Sequence, residues 1–194
     1  MASIFLQKHK NSIPFFVVFC YHTAHSRIIN KGKKSMKRIF VFSDSHKNME
    51  NMRIVIWKEK PDLVIHLGDE WEDSKELRAE FRDIPMECVP GNCDTVREPL
   101  EKILQIEGKR ILLCHGHTYN VKMGYMRIRL AAISKGVDAV LFGHTHFPLC
   151  EKDDEILMLN PGCVGYSTPQ SKASYGWITI DGDVINAGIE YIAK

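Results

Sequence analysis

Five short strand-like apolar runs in this chain each end, within three residues, on a cluster of Asp, Asn or His. Residues 39–42 run into Asp44-Ser45-His46, and residues 63–67 into Gly68-Asp69. Residues 86–89 lead to Gly91-Asn92-Cys93-Asp94, residues 110–114 to His115-Gly116-His117, and residues 137–142 to Gly143-His144-Thr145-His146. Compact apolar runs bounded by Gly, Pro and Asn read as buried strands. Layered α/β folds bind ligands at the carboxyl ends of their strands. Separate strands of one such fold bring distant sequence positions onto one edge.

Between the runs the spacing turns helical. Residues 49–58 read as a helix closed before Pro61, residues 74–81 as a helix capped by Ser74, and residues 123–134 as a helix stopped by Gly136. The rear half is richer in hairpins. Turns at Glu107-Gly108-Lys109, Asp153-Asp154-Glu155 and Asp181-Gly182-Asp183 each join two apolar runs, and Asn160-Pro161-Gly162 is a further turn. There is no internal repeat, low-complexity tract or interdomain linker. The expectation is one α/β domain with a mixed sheet, or two packed sheets flanked by helices.

Charge is unevenly placed. Residues 1–35 carry six basic side chains and no acidic one; the remainder holds 20 Lys+Arg against 24 Asp+Glu, a balance of −4. The main body therefore offers no overall basic field for nucleic acid. The apolar run at 13–21 is broken by Pro14 and too short to span a bilayer. It has the rough shape of a signal peptide, but no small-x-small cleavage site follows. Residues 1–35 read as a non-structural extension or a misassigned start, with the domain running from Met36 to Lys194. Six scattered cysteines, none in Cys-x-x-Cys spacing, fit buried free thiols in a reducing cytoplasm.

The clusters carry the chemistry. Residues i and i+2 of an extended segment point to one side, so Asp44 with His46, and His144 with His146, each offer two ligands on one face. Carboxylate, amide oxygen and imidazole together suit Mn²⁺, Fe or Zn²⁺ better than Ca²⁺. One carboxylate can bridge two cations about 3.5–4 Å apart. Asp69, from a middle strand and directly after Gly68, is the natural bridge. Of six histidines from residue 36 onward, only His66 lies outside the clusters, inside a strand run, where it reads as a packed core histidine.

This ordered motif set resembles the calcineurin-like metallophosphoesterase family, and most closely its small single-domain prokaryotic phosphodiesterases, over residues 36 to about 190. The resemblance implies a four-layer αββα sandwich of two mixed sheets flanked by helices, with a dinuclear centre on one sheet edge. It implies that Asp44, His46, Asp69 and His146 hold one metal and that Asp69, Asn92, His115 and His144 hold the other. Two divalent ions are expected, Mn²⁺ first, with Fe, Zn²⁺ or Ni²⁺ as alternatives. Asn160-Pro161-Gly162 matches a turn the family places near the site.

The expected reaction is hydrolysis of small phosphodiesters by a metal-bridging hydroxide attacking in line with the leaving oxygen. Asn92 and His117 are the catalytic candidates: Asn92 to reach a phosphate oxygen, His117 to protonate the leaving group or to orient a ligand. Many family members carry a proton-donating His where this chain has Cys93, which favours good leaving groups or diesters over alkyl monoesters. The rival readings are a non-catalytic protein-binding scaffold on the same fold, as in a retromer subunit of the family, and a nuclease. The expected partner is a small phosphorylated substrate, with no strong nucleic-acid signal, no membrane span and room for homo-oligomers.

Overall fold

In the computed structural model, which describes residues 36–152, 156–167 and 169–192, strands with apolar side chains on both faces build two sheets back to back. The elements run β1 (Lys37–Phe42), α1 (Glu50–Glu59), β2 (Leu63–His66), α2 (Trp71–Glu80), β3 (Met86–Cys88), β4 (Glu101–Ile106), β5 (Lys109–Cys114), α3 (Met126–Ser134), β6 (Ala139–Leu141), β7 (Leu149–Lys152), β8 (Leu157–Asn160), β9 (Ser174–Asp181) and β10 (Val184–Tyr191). One sheet has the order β10-β9-β1-β2-β3 and the other β4-β5-β6-β8-β7. Each has a parallel centre, β1-β2-β3 in one and β5-β6-β8 in the other, with antiparallel pairs outside it.

β1 shows why the layers form. Its side chains alternate in direction, yet both sets are apolar. Ile39 and Val41 enter the inter-sheet core with Ile65, Ile111, Leu113, Leu141 and Ile178. Phe40 and Phe42 face outward onto Met52 and Ile56 of α1 and Leu77 of α2. On the other sheet, Leu112, Val140 and Phe142 pack against Ile128 and Ala132 of α3. A fully buried Phe42 is worth about 2–3 kcal/mol. The result is the expected αββα sandwich of two mixed sheets.

Two helix boundaries differ from the sequence expectation. Ser74 is not the cap of α2: the helix begins at Trp71, and the Ser74 hydroxyl donates back to the Trp71 carbonyl at 2.6 Å. The expected helix at 123–134 starts only at Met126. Gly124, at φ 128°, ends a 3₁₀ turn over Val121–Met123 and breaks the run. The strand pairs flanking the three expected turns are antiparallel as expected; the turn residues 153–155 lie outside the described residues. Residues 1–35, read as an extension, lie outside the described residues. Among the described residues, no helix is long and apolar enough to cross a membrane.

Candidate metal centre

The five clusters occupy the loops after β1, β2, β3, β5 and β6, and the backbone there is contorted. Asp44, His46, Asp69, His144 and His146 all have left-handed φ, between 48° and 70°. Each costs a non-glycine residue roughly 1–2 kcal/mol, which the surrounding structure must over-determine. It does so with cross-loop bonds. The Asp44 N–H donates to the Gly68 carbonyl at 2.9 Å, Gly143 N–H to the His115 carbonyl at 2.9 Å, and His144 N–H to Asp44 Oδ2 at 3.2 Å. Gly91 and Gly143 allow this closeness: a Cβ at Gly91 would overlap the Asp69 carboxylate, and one at Gly143 the Ser43 hydroxyl.

The donors gather into two groups that share one residue. Asp44, His46, Asp69 and His146 offer ligand atoms within 4.8 Å of one another, and so do Asp69, His115 and His144. Asp44 and His115 are fully buried. His146 Nε2 lies 3.1 Å from Asp44 Oδ1 and 3.5 Å from His46 Nε2.

His115 tests whether a cation fits. Its Nδ1 sits 2.8 Å from the Leu67 carbonyl, which can only accept, so Nδ1 carries the proton and Nε2 presents a lone pair. That lone pair faces Asp69 Oδ2 at 3.4 Å. Two acceptors facing each other in a buried place need a positive charge between them, which a metal ion or a proton on Nε2 supplies. Among the described residues, His115 Nε2 and Asp44 Oδ1 have no hydrogen-bond partner. The donor set, with imidazole and carboxylate and no thiolate bound in, suits Mn²⁺, Fe or Zn²⁺.

The electrostatics agree. Burial opposes ionisation of Asp69, but His115 and the Cys93 N–H outweigh it and hold the carboxyl far below its usual range. Burial also pushes Asp44 upward, and His146 and His115 more than reverse it. Burial would lower His115, yet Asp69 and Asp44 raise it. His144 is pushed down to about 4 by burial and then by His115, so its imidazole is neutral at pH 7. His117 is lowered by the same two causes.

Asn92 is exposed on the rim, its Nδ2 3.4 Å from Cys93 Sγ. His117 is half-buried, with ring centroids 5.5 Å from His115 and 6.1 Å from His144, and its buried Nδ1 has no partner among the described residues. Cys93 donates both its N–H, at 3.0 Å, and its thiol, at 3.3 Å, to the Asp69 carboxylate. His66 is the packed histidine its strand position implied, with Nε2 3.1 Å from Ser45 Oγ. Five free cysteines stand among the described residues, and Cys88, Cys114 and Cys163 are buried.

Three supporting residues have roles that sequence reasoning missed. Asp94 was visible in its motif, but it accepts the backbone N–H of Asp69 and of Trp71 beyond its own loop, besides that of Gly91 within it. Asn160 does more than turn the chain: its buried amide donates to the Gly143 carbonyl at 2.9 Å and to Thr145 Oγ1 at 3.0 Å, bracing the His144 loop. Tyr166 has no local signal at all, and its hydroxyl lies 3.3 Å from His146 Nδ1.

Comparison with known proteins agrees with this geometry. Residues 36–183 match the calcineurin-like phosphoesterase superfamily domain. The chain is 30% identical over 148 residues to a probable metallophosphoesterase, YsnB of Bacillus subtilis, covering 75% of this chain and 85% of that protein. It is 32% identical over 109 residues to the phosphodiesterase YfcE of Escherichia coli, covering 51% and 54%. A predicted phosphoesterase from Streptococcus pneumoniae superposes with a TM-score of 0.66 at 24% identity, over 81% of this chain and 90% of that one. Vacuolar protein sorting 29 of Cryptosporidium parvum gives 0.66 at 18% identity, over 82% and 99%. These two structures speak to the fold alone. With all five clusters and every described strand but β10 inside the matched span, the chain belongs to the calcineurin-like phosphoesterase superfamily.

Proposed function

We propose that this protein is a dinuclear phosphodiesterase acting on small phosphodiesters. The observation that carries the reading is Asp69, whose carboxylate belongs to both donor groups. Asp44, His46, Asp69 and His146 would hold one cation; Asp69, Asn92, His115 and His144 the other, with Mn²⁺ the first choice. When bound, the cations would supply Lewis acidity for a water nucleophile and charge neutralisation for the phosphate. The chain's own residues do the rest. Asn92, which is exposed, would meet a phosphate oxygen with its amide. His117, lowered by burial and by His115 and beside the rings of His115 and His144, would exchange a proton or orient its neighbours.

Cys93 bears on substrate class. In the metal-free protein burial and then the hydrogen bond to Asp69 push its thiol up to about 11, and that hydrogen bond commits its proton to Asp69 rather than to a leaving group. Leaving groups that need no protonation, or diesters, are therefore favoured over alkyl monoesters. The relatives' names, probable metallophosphoesterase and phosphodiesterase, support the chemistry. The complete donor set favours catalysis over a scaffold role, and the acidic balance of residues 36–194 favours a small substrate over nucleic acid.

The test is hydrolysis by Mn²⁺-loaded protein of an aryl phosphate, an aryl diester, cyclic nucleotides, dinucleotides and an alkyl phosphate. Metal-dependent cleavage of diesters is expected, abolished in Asp69→Asn and reduced in Asn92→Ala. Unchanged activity in both variants sinks the assignment, and faster alkyl monoester cleavage sinks the substrate class.

A further inference from the structure

The two donor groups are braced differently, and the difference converges on Tyr166. His115 is fully buried, and its non-ligating nitrogen is held by a backbone carbonyl, that of Leu67. His146 is half-buried, and its non-ligating nitrogen meets a phenol: Tyr166 Oη lies 3.3 Å from Nδ1. His146 Nε2 points the other way, toward Asp44 Oδ1 and His46 Nε2. The Tyr166 ring also stands over the pair, with centroids 5.7 Å from His46 and 6.0 Å from His146.

This placement is built into the fold. The segment before Tyr166 is tied to the Asp44 loop along its length. Val164 N–H donates to the Ser43 carbonyl at 3.1 Å, the Cys163 thiol to the Asp44 carbonyl at 3.1 Å, and Gly165 N–H to the same carbonyl at 3.4 Å. Asn48 donates to the Gly165 carbonyl, and a Cβ at Gly165 would overlap the Ser45 carbonyl. The backbone that carries Tyr166 therefore cannot move away from His146 without breaking contacts to the loop that carries Asp44 and His46.

We propose that Tyr166 is a positioning residue for the cation held by Asp44, His46, Asp69 and His146. Its phenol oxygen accepts the Nδ1–H of His146. This fixes the tautomer in which Nε2 is the free lone pair, and it fixes the ring's rotation toward Asp44. The inference rests on the metal assignment proposed above. It adds that the two cation positions differ, and that the one beside Tyr166, 42% exposed, is the more easily emptied.

The test is Mn²⁺ titration by calorimetry of the metal-free full chain, with Tyr166→Phe, Tyr166→Leu and Asp69→Asn alongside. Two equivalents of unequal affinity are expected in the wild type. Tyr166→Phe, which keeps the ring and loses the oxygen, should weaken only the weaker equivalent, by about 10-fold or more, with the thermal midpoint and the tighter equivalent unchanged. Tyr166→Leu should do at least as much. Both equivalents unaltered in Tyr166→Phe and Tyr166→Leu would overturn the role of Tyr166 alone. Equal weakening of both equivalents together with a lowered thermal midpoint would also overturn it, since that marks general structural support. A wild type that binds fewer than two equivalents overturns the dinuclear reading as well.

Discussion

Asp94 accepts the backbone N–H of Asp69 at 3.1 Å, so the shared carboxylate is held in place by a carboxylate on another loop. The same Asp94 side chain takes the N–H of Gly91 at 2.7 Å and, through its other oxygen, that of Trp71 at 2.7 Å. One side chain thus ties the loops after β2 and β3 together and caps the start of α2, where Glu70 provides no side-chain cap. Asp94→Ala leaves three N–H groups without this acceptor. Hydrogen bonds to charged groups are worth about 1.5–3 kcal/mol each, though half-exposed donors recover part from water. A loss of roughly 3 kcal/mol in urea unfolding of the metal-free protein is expected, with a smaller loss in Asp94→Asn. A change under about 0.5 kcal/mol for Asp94→Ala, the range of ordinary surface substitutions, would remove the bracing role.

Gly91 and Gly182 should respond very differently to alanine. Gly182 sits at φ 59° in the β9–β10 turn with open space around it, so Ala there costs only backbone strain, about 1 kcal/mol. At Gly91 the added methyl overlaps the Asp69 carboxylate itself. Gly91→Ala is expected to displace Asp69 and lower Mn²⁺ stoichiometry, whereas Gly182→Ala leaves it whole. Metal analysis of dialysed protein reads the difference, and full stoichiometry in Gly91→Ala would contradict the packing argument.

His66 should make the acid side of the stability curve steeper. Burial holds its folded imidazole neutral, against the pull of Asp44 and Asp73, while the unfolded one protonates below about 6.5. The unfolded chain then binds more protons, so stability falls as pH drops through that value and stops falling at the folded pKa. The slope from one such group is at most about 1.4 kcal/mol per pH unit. In metal-free protein, the stability advantage of wild type over His66→Gln should shrink between about pH 7 and pH 5. Urea midpoints at several pH values check this, and a constant difference would acquit His66.

Cys93 should behave as a spectator thiol. A lost general acid costs about 10²–10⁴-fold, so Cys93→Ala is expected to change aryl diester turnover far less, by about threefold at most. Iodoacetamide labelling of the metal-free wild type should be slow at neutral pH, because the thiol is pushed up to about 11 by burial and by Asp69. Removing that charge in Asp69→Asn should speed labelling of Cys93. A hundredfold loss in Cys93→Ala would instead give the thiol a direct part in the reaction.

The layered architecture and the ligand candidates were legible in the sequence because both depend on local pattern. Doubly apolar runs such as residues 39–42 read as strands covered on both faces, and in a layered α/β fold the Asp, Asn and His at their carboxyl ends share one edge. Helix starts were less legible, because the feature that begins α2 is Asp94, more than twenty positions away, and not Ser74 within the helix. The sequence by itself determined which Asp, Asn and His side chains stand at the carboxyl ends of the strands. Only the tertiary structure decided how they are held: His115 by the Leu67 carbonyl, Asp69 by Asp94 and Cys93, His146 by Tyr166, and the His144 loop by Asn160. Some of these bonds join loops of neighbouring strands in one sheet, as Asp94 to Asp69 and Asn160 to Gly143, and others cross between the sheets, as His115 to Leu67. No periodicity or spacing encodes them, because the distance between such groups exists only after the strands have paired and the sheets have packed.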